Sequence, residues 1–210
     1  MIRIKSVLTH LSRASLALLA VFAFATGAQA ASTTLQNMET AYNGESNAHA
    51  RYLAFAKEAD AEGYGEVASL FRAAARAEEI HATNHAAVIK QLGGVPEAKV
   101  GSPDVKSTRE NLQAAIKGET YERDTMYPDF IKQAKLDGDR EAVKSLNLAL
   151  TAEAEHERLY TAALADLGHL KGSKSVVFLV CPKCGFTTRD ANFTKCPSCF
   201  TPKEKFEKVA

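Results

Sequence analysis

Several things that would point to nucleic acid or lipid as a partner are missing from this sequence. Basic and acidic residues nearly balance at 26 to 25. Residues 1 to 30 hold Arg3, Lys5 and Arg13 but no acid, so the rest of the chain carries 23 basic against 25 acidic groups, about −2. No basic patch with interleaved aromatics is present, which argues against nucleic acid. The apolar run L-A-L-L-A-V-F-A-F-A at 16 to 25 has ten residues, short of the ~20 that cross a bilayer. Low-complexity tracts and long internal repeats are also absent. The four cysteines all lie between 181 and 199. None stands directly after residue 30, where a lipid would be attached, which argues against a lipoprotein, and no Arg-Arg pair suggests twin-arginine export.

What is present at the N-terminus has the order of a secretory signal: a basic region to Arg13, the apolar run, then A-Q-A at 28 to 30. The expectation is cleavage before Ala31, a periplasmic location, and no stable membrane span after processing. The alternative is an uncleaved anchor.

Four long helical patterns follow, punctuated by glycine and proline. They run from about Thr34 to Glu62, from Glu66 to Leu92, from a Ser107/Glu110 capping box to Leu136 with a kink at Pro128, and from Asp139 to near Gly168. The connections are short, long and short, the loop pattern of a four-helix bundle with one crossover. The expected organisation is a signal at 1–30, a bundle at 31–168, a linker at 169–175 and a small β-rich unit at 176–210.

Each helix interrupts its apolar stripe with acid near its middle. On the fourth, Leu146, Ala149, Glu153, His156, Tyr160, Ala163 and Leu167 share the inward face. On the second the same face carries Glu78, His81 and His85; on the first, Glu45 and His49; on the third, Glu119 and Glu122. An isolated buried carboxylate costs several kcal/mol or protonates. One such residue reads as a tolerated polar group at a helix edge. Glu-x-x-His on two helices and Glu on the other two instead match the ligand pattern of ferritin-like di-iron and di-manganese bundles. Glu79, Glu155 and Glu157 point elsewhere and read as a solvated face. His49 and His85 read as hydrogen-bonded core or supporting histidines.

Cys181-x-x-Cys184 and Cys196-x-x-Cys199 form two knuckles that present four thiolates to one ion, iron or zinc. Two disulfides are the alternative. A 35-residue module with few large apolar side chains is too small to fold without a metal.

The chain resembles the rubrerythrin family over nearly all of residues 35 to 206. The resemblance is carried by G-E-S-N-A-H-A-R-Y (44 to 52), E-E-I-H (78 to 81), K-G-E-T-Y-E-R-D-T-M-Y-P (117 to 128), E-A-E-H (153 to 156) and the rubredoxin-like tail. It implies a non-haem di-iron peroxidase that reduces hydrogen peroxide to water, with electrons passed through an iron in the tail. By position it implies Glu78 and Glu153 as bridges, and Glu45 as a terminal ligand of one iron. Glu119 and His156 become terminal ligands of the other. Glu122 and His81 become the pair that exchanges between oxidised and reduced states, and Tyr52 and Tyr127 line the pocket. Phe200 departs from the glycine usual after the second knuckle, and Phe186 from the usual tyrosine.

The expected fold is therefore an all-α ferritin-like four-helix bundle with one crossover, followed by a rubredoxin-like four-cysteine domain. The expected cofactors are two non-haem irons and one four-cysteine iron, with zinc as the alternative in the tail. The expected partners are hydrogen peroxide, an unidentified electron donor, and a second copy in a homodimer where each tail serves the other chain's bundle. The rival functions are a ferroxidase that reacts with dioxygen and a non-catalytic metal-binding protein.

Overall fold

The computed structural model describes residues 33–210; the segment read as an export signal lies outside the described residues. Four helical rods form the bundle: α1 (Thr33–Ala61), α2 (Gly65–Gln91), α3 with α4 (Thr108–Tyr121 and Tyr127–Leu136), and α5 (Arg140–Ala165). Among the described residues, no helix is long and apolar enough to cross a membrane.

Local chemistry sets the ends of these rods. The Ser107/Glu110 capping box opens α3 as its sequence predicts, and the Asp139 side chain accepts from Ala142 N–H at 2.9 Å to open α5. The long crossover has no regular structure of its own and is held by side-chain amides of α1. Lys99 N–H donates to Asn43 Oδ1 at 2.8 Å, and Gly101 N–H to Asn47 Oδ1 at 3.0 Å.

The third rod differs from the simple kink expected at Pro128. A π-helical turn, Glu122–Met126, joins α3 to α4, with Tyr127 N–H donating to the Glu122 carbonyl five residues back. Proline has no N–H, and its ring collides with the carbonyl four residues earlier. Widening the preceding turn relieves that collision and leaves Pro128 in the first turn of α4, where a missing N–H costs nothing.

Two apolar clusters fill the bundle. Tyr52, Phe55, Phe71, Leu112 and Tyr160 belong to one; Met38, Ile89, Tyr127, Ile131 and Leu146 belong to the other. Many of the buried positions on α2 are alanines, including Ala73, Ala74, Ala75 and Ala77, which leaves room between the rods for the longer polar side chains.

After α5 a short helix, α6 (Leu167–Leu170), leads into the tail. The segment expected as a free linker is pinned. Gly65 N–H donates to the Ser173 carbonyl at 3.2 Å, Gly172 N–H to the Gly63 carbonyl at 2.8 Å, and Val176 N–H to Ser69 Oγ at 3.1 Å. The tail then forms an antiparallel sheet, β1 (Phe178–Val180), β2 (Thr187–Thr188) and β3 (Glu207–Val209), in the order β2-β1-β3. Side chains of α2 clamp this sheet. Arg76 donates to both Glu207 oxygens at 2.7 and 2.9 Å, Arg72 Nε to the Ala210 carbonyl at 2.6 Å, and Asn84 Nδ2 to the Lys183 carbonyl at 2.9 Å.

Within the single chain, the tail docks on its own α2. The strap from Gly172 to Val176 is tied by these bonds to the start of α2.

Candidate metal centres

Glu45, Glu78, His81, Glu119, Glu153 and His156, which the sequence places on four separate helices, converge in the bundle. All are buried. They form two overlapping groups whose candidate ligand atoms lie within 4.8 Å of one another: Glu45, Glu78, His81 and Glu153 in one, Glu78, Glu119, Glu153 and His156 in the other. The two shared carboxylates each span both groups. Glu153 sets Oε1 3.0 Å from His81 Nδ1 and Oε2 3.0 Å from His156 Nδ1. Glu78 sets Oε2 2.9 Å from His81 Nδ1 and Oε1 3.4 Å from His156 Nδ1.

This donor set is unsatisfied by protein. Glu45 Oε2, Glu78 Oε1, Glu119 Oε2, both Glu153 oxygens and His156 Nδ1 are buried without a hydrogen-bond partner. Buried polar atoms are normally paired. Six orphaned acceptors converging from four helices fit two cations and little else.

The electrostatics agree. Burial, then the charges of Glu78 and Glu153, push the Glu45 carboxyl well above its ordinary range; burial and the same two neighbours do this to Glu119. Burial also raises Glu78, but the His156 and His81 rings close against its two oxygens outweigh it and hold that carboxyl low. Burial disfavours the imidazolium of His81, yet the nearby charges of Glu153 and Glu78 raise it well above the usual histidine range. Divalent ions would supply the positive charge that protons otherwise must.

Glu122, expected within the ligand shell, stands outside both groups, and His81 is inside one of them. Glu122 opens the π-turn and is half-buried. Burial and the charges of Glu153 and Glu78 raise its pKa, and Arg51 opposes them. Arg51 carries no signal of its own in the sequence pattern. Its guanidinium lies 5.3 Å from the Tyr52 ring centroid, and its buried Nε lacks a partner.

The two tyrosines hold terminal carboxylates. Tyr52 donates to Glu119 Oε1 at 2.6 Å, and Tyr127 donates to Glu45 Oε1. Since the Tyr127 proton goes to Glu45, its oxygen accepts from His85 Nε2 at 3.2 Å, and His85 Nδ1 accepts from Ser145 Oγ at 2.8 Å. His85 is thus a supporting histidine, as its position suggested. Burial, then the His81 charge, lowers its pKa to about 3 and keeps it neutral. His49 donates to the Ala75 carbonyl at 2.7 Å, outside both groups.

In the tail, Cys181, Cys184, Cys196 and Cys199 form a third group of candidate ligands. Their sulfurs lie 3.4 Å apart for Cys181 and Cys199 and 3.5 Å for Cys184 and Cys196, with all four thiols free. A disulfide needs about 2.05 Å, so the disulfide alternative does not describe this arrangement, which suits one tetrahedral ion. The two knuckles repeat the same bonds: Cys181 N–H to the Phe186 carbonyl at 2.9 Å and Cys196 N–H to the Thr201 carbonyl at 2.8 Å, Gly185 N–H to Cys181 at 2.9 Å and Phe200 N–H to Cys196 at 3.0 Å. The first knuckle faces the bundle. His81 Nε2 lies 3.0 Å from the Cys184 carbonyl, and His156 Nε2 3.2 Å from Thr187 Oγ1. Neither acceptor was foreseen, because a contact between residues 103 or 31 positions apart leaves no local pattern.

Comparison with known proteins agrees with this geometry. The rubrerythrin family profile matches residues 36–164. Nigerythrin of Nitratidesulfovibrio vulgaris is 40% identical over 178 residues, 84% of this chain and 87% of its own. Rubrerythrin of Porphyromonas gingivalis is 34% identical over 181 residues, covering 84% of this chain and 90% of its own. The solved mixed-valence state of nigerythrin superposes with a TM-score of 0.78 at 37% identity, covering 88% of this chain and 90% of that one. A bacterioferritin from Desulfovibrio desulfuricans, 22% identical with a TM-score of 0.63 over 76% of this chain and 94% of its own, shares the fold.

Proposed function

The chain belongs to the rubrerythrin family, and from that premise we propose that it is an oxidoreductase of oxidative-stress defence, a non-haem di-iron peroxidase that reduces hydrogen peroxide to water. The observation that carries this reading is the pair of shared carboxylates, Glu78 and Glu153, each with one oxygen toward either half of a buried, otherwise unsatisfied donor set. In this reading Glu78 and Glu153 would be shared between two irons, with Glu45 and His81 holding one and Glu119 and His156 the other. Cys181, Cys184, Cys196 and Cys199 hold the third iron.

Reduction of one peroxide to two waters takes two electrons and two protons. Two ferrous ions in the bundle would supply the two electrons together. The chain's own residues do the rest. Tyr52 and Tyr127 orient Glu119 and Glu45 by direct hydrogen bonds. The relay from Ser145 through His85 to Tyr127 holds exchangeable protons in line with Glu45 Oε1. The aromatic wall of Phe55, Phe71 and Tyr160 excludes bulk water, which strengthens every charge interaction inside. Glu122, outside the ligand groups beside Arg51, would be available as a ligand in place of His81 for a metal that had gained positive charge. An anionic ligand then compensates that charge better than a neutral one.

Electrons would return through the tail. The path from the Cys184 residue to His81 Nδ1 consists of covalent bonds and one 3.0 Å hydrogen bond within a single chain, so a second copy is not needed to complete it. We also propose export to the periplasm, on the strength of the apolar run at 16 to 25 and the A-Q-A that follows. N-terminal sequencing of the mature protein should then begin at Ala31. The activity is tested by mixing the all-ferrous protein anaerobically with hydrogen peroxide and, separately, with dioxygen. Faster oxidation by peroxide is the expected result; faster oxidation by dioxygen would favour a ferroxidase.

A further inference from the structure

Both histidines of the bundle centre are held from behind by the tail. A carbonyl has no proton to give, so His81 carries its proton on Nε2, donated to Cys184 at 3.0 Å. The Thr187 hydroxyl donates to the Gly185 carbonyl at 2.9 Å, which leaves a lone pair for His156 Nε2 at 3.2 Å. His156 therefore also carries its proton on Nε2. In each ring the other nitrogen, Nδ1, is the one turned toward Glu78 and Glu153. Cys184 and Thr187 are three residues apart, in and just after the first knuckle, whose shape depends on all four sulfurs meeting around one ion.

We propose that Thr187 is a positioning residue for the bundle's metal centre, and that through Thr187 and the Cys184 carbonyl the filling of the tail and of the bundle are coupled. The closed knuckle presents Nδ1 of both histidines as ligands; an open knuckle withdraws both acceptors at once. This inference rests on reading the bundle as a two-metal site. Losing the acceptor behind a ligating histidine typically weakens metal binding ~10–100-fold. Coupling between two binding events is reciprocal, so filling the bundle also tightens the tail's hold on its own ion.

The test is binding, not turnover. The protein receives one equivalent of zinc, which the four thiolates take in preference to the carboxylate site, and is then titrated anaerobically with cobalt(II), whose absorption counts the ions bound in the bundle. Wild type should take up two. Thr187→Val, close in shape but without the acceptor, should bind one as wild type does and the second ~10–100-fold more weakly; Thr187→Ser should restore it. Wild-type affinity for both ions in a zinc-closed Thr187→Val protein would overturn the positioning role. Should Thr187→Val fail to retain tail zinc, the double variant Cys196→Ser, Cys199→Ser decides instead, since it cannot close the knuckle. Weaker cobalt binding in its bundle is expected, and wild-type affinity there would overturn the coupling. A wild-type protein that binds fewer than two cobalt ions would instead overturn the two-metal reading itself.

Discussion

A β-carbon on Gly185 would run into Nε2 of His81 and lie 3.0 Å from its Cδ2. The first knuckle reaches the site histidine because this position has no side chain, and its φ of +74° also belongs to the left-handed region that glycine favours. Gly185→Ala should therefore undock the tail, and with it the acceptors behind His81 and His156, so both metal centres need saturating iron to fill. A left-handed L-residue costs ~1–2 kcal/mol before any collision, and ~1.4 kcal/mol is tenfold in population. At saturating iron, stopped-flow oxidation of the tail iron by peroxide should slow roughly tenfold or more.

Phe200 occupies the equivalent position of the second knuckle, with φ +60° and its side chain 73% exposed. Here the strain meets no packing gain. Phe200→Gly should stabilise the tail by roughly 1 kcal/mol, the left-handed penalty less glycine's extra unfolded-state freedom. Denaturant-driven release of the tail metal should move to a higher midpoint in the variant.

The docked tail predicts that the relay works within one chain. At iron concentrations that fill the bundle, a tail-inactive variant, Cys196→Ser with Cys199→Ser, mixed and refolded with a bundle-inactive variant, Glu78→Ala, should show no peroxidase activity beyond the sum of the two alone. Recovery of activity in the mixture would show that tails serve partner bundles.

Metal removal should cost more stability as pH rises. In the metal-free protein Glu45, Glu119 and Glu122 have pKa values raised well above 4.5. A carboxyl with a raised folded pKa contributes stability that is fully present below its unfolded pKa and lost as pH climbs through the folded value. His81 and His156, also raised, add the same sign above ~6.5. His85 works oppositely: held down to about 3, it loses stability as pH falls from ~6.5 toward that value. The gap in Tm between metal-loaded and metal-free protein should widen from about pH 5 to pH 8, as measured by calorimetry. A gap that narrows over that range would contradict the assignment of these groups.

Much of this was legible from local pattern. Glycine and proline bounded the helices to within a few residues, the Ser107/Glu110 box formed, and the Glu-x-x-His pairs Glu78/His81 and Glu153/His156 fell on inward faces because three residues make nearly one turn. The cysteine spacing was equally direct. What was not legible depends on partners distant in sequence. The π-turn is a compromise among Pro128, its neighbours and the packing of the third rod, and a proline alone signals only a kink. Glu122, in neither ligand group, is the residue that opens that turn. Docking of the tail on its own α2 depends on Arg72, Arg76 and Asn84, which read locally as an ordinary solvated face. Thr187 and Ser145 act through single long-range hydrogen bonds that no periodicity records.

The most direct test of the account is one anaerobic turnover. Fully reduced protein is mixed with a single equivalent of hydrogen peroxide while the absorption of the ferric four-cysteine site is followed. The account predicts that the di-iron centre oxidises first and the tail iron afterwards, at a rate independent of protein concentration, as electrons cross the Cys184–His81 bond. A tail iron that stays reduced after the di-iron centre has oxidised, or a rate that rises with protein concentration, would contradict it.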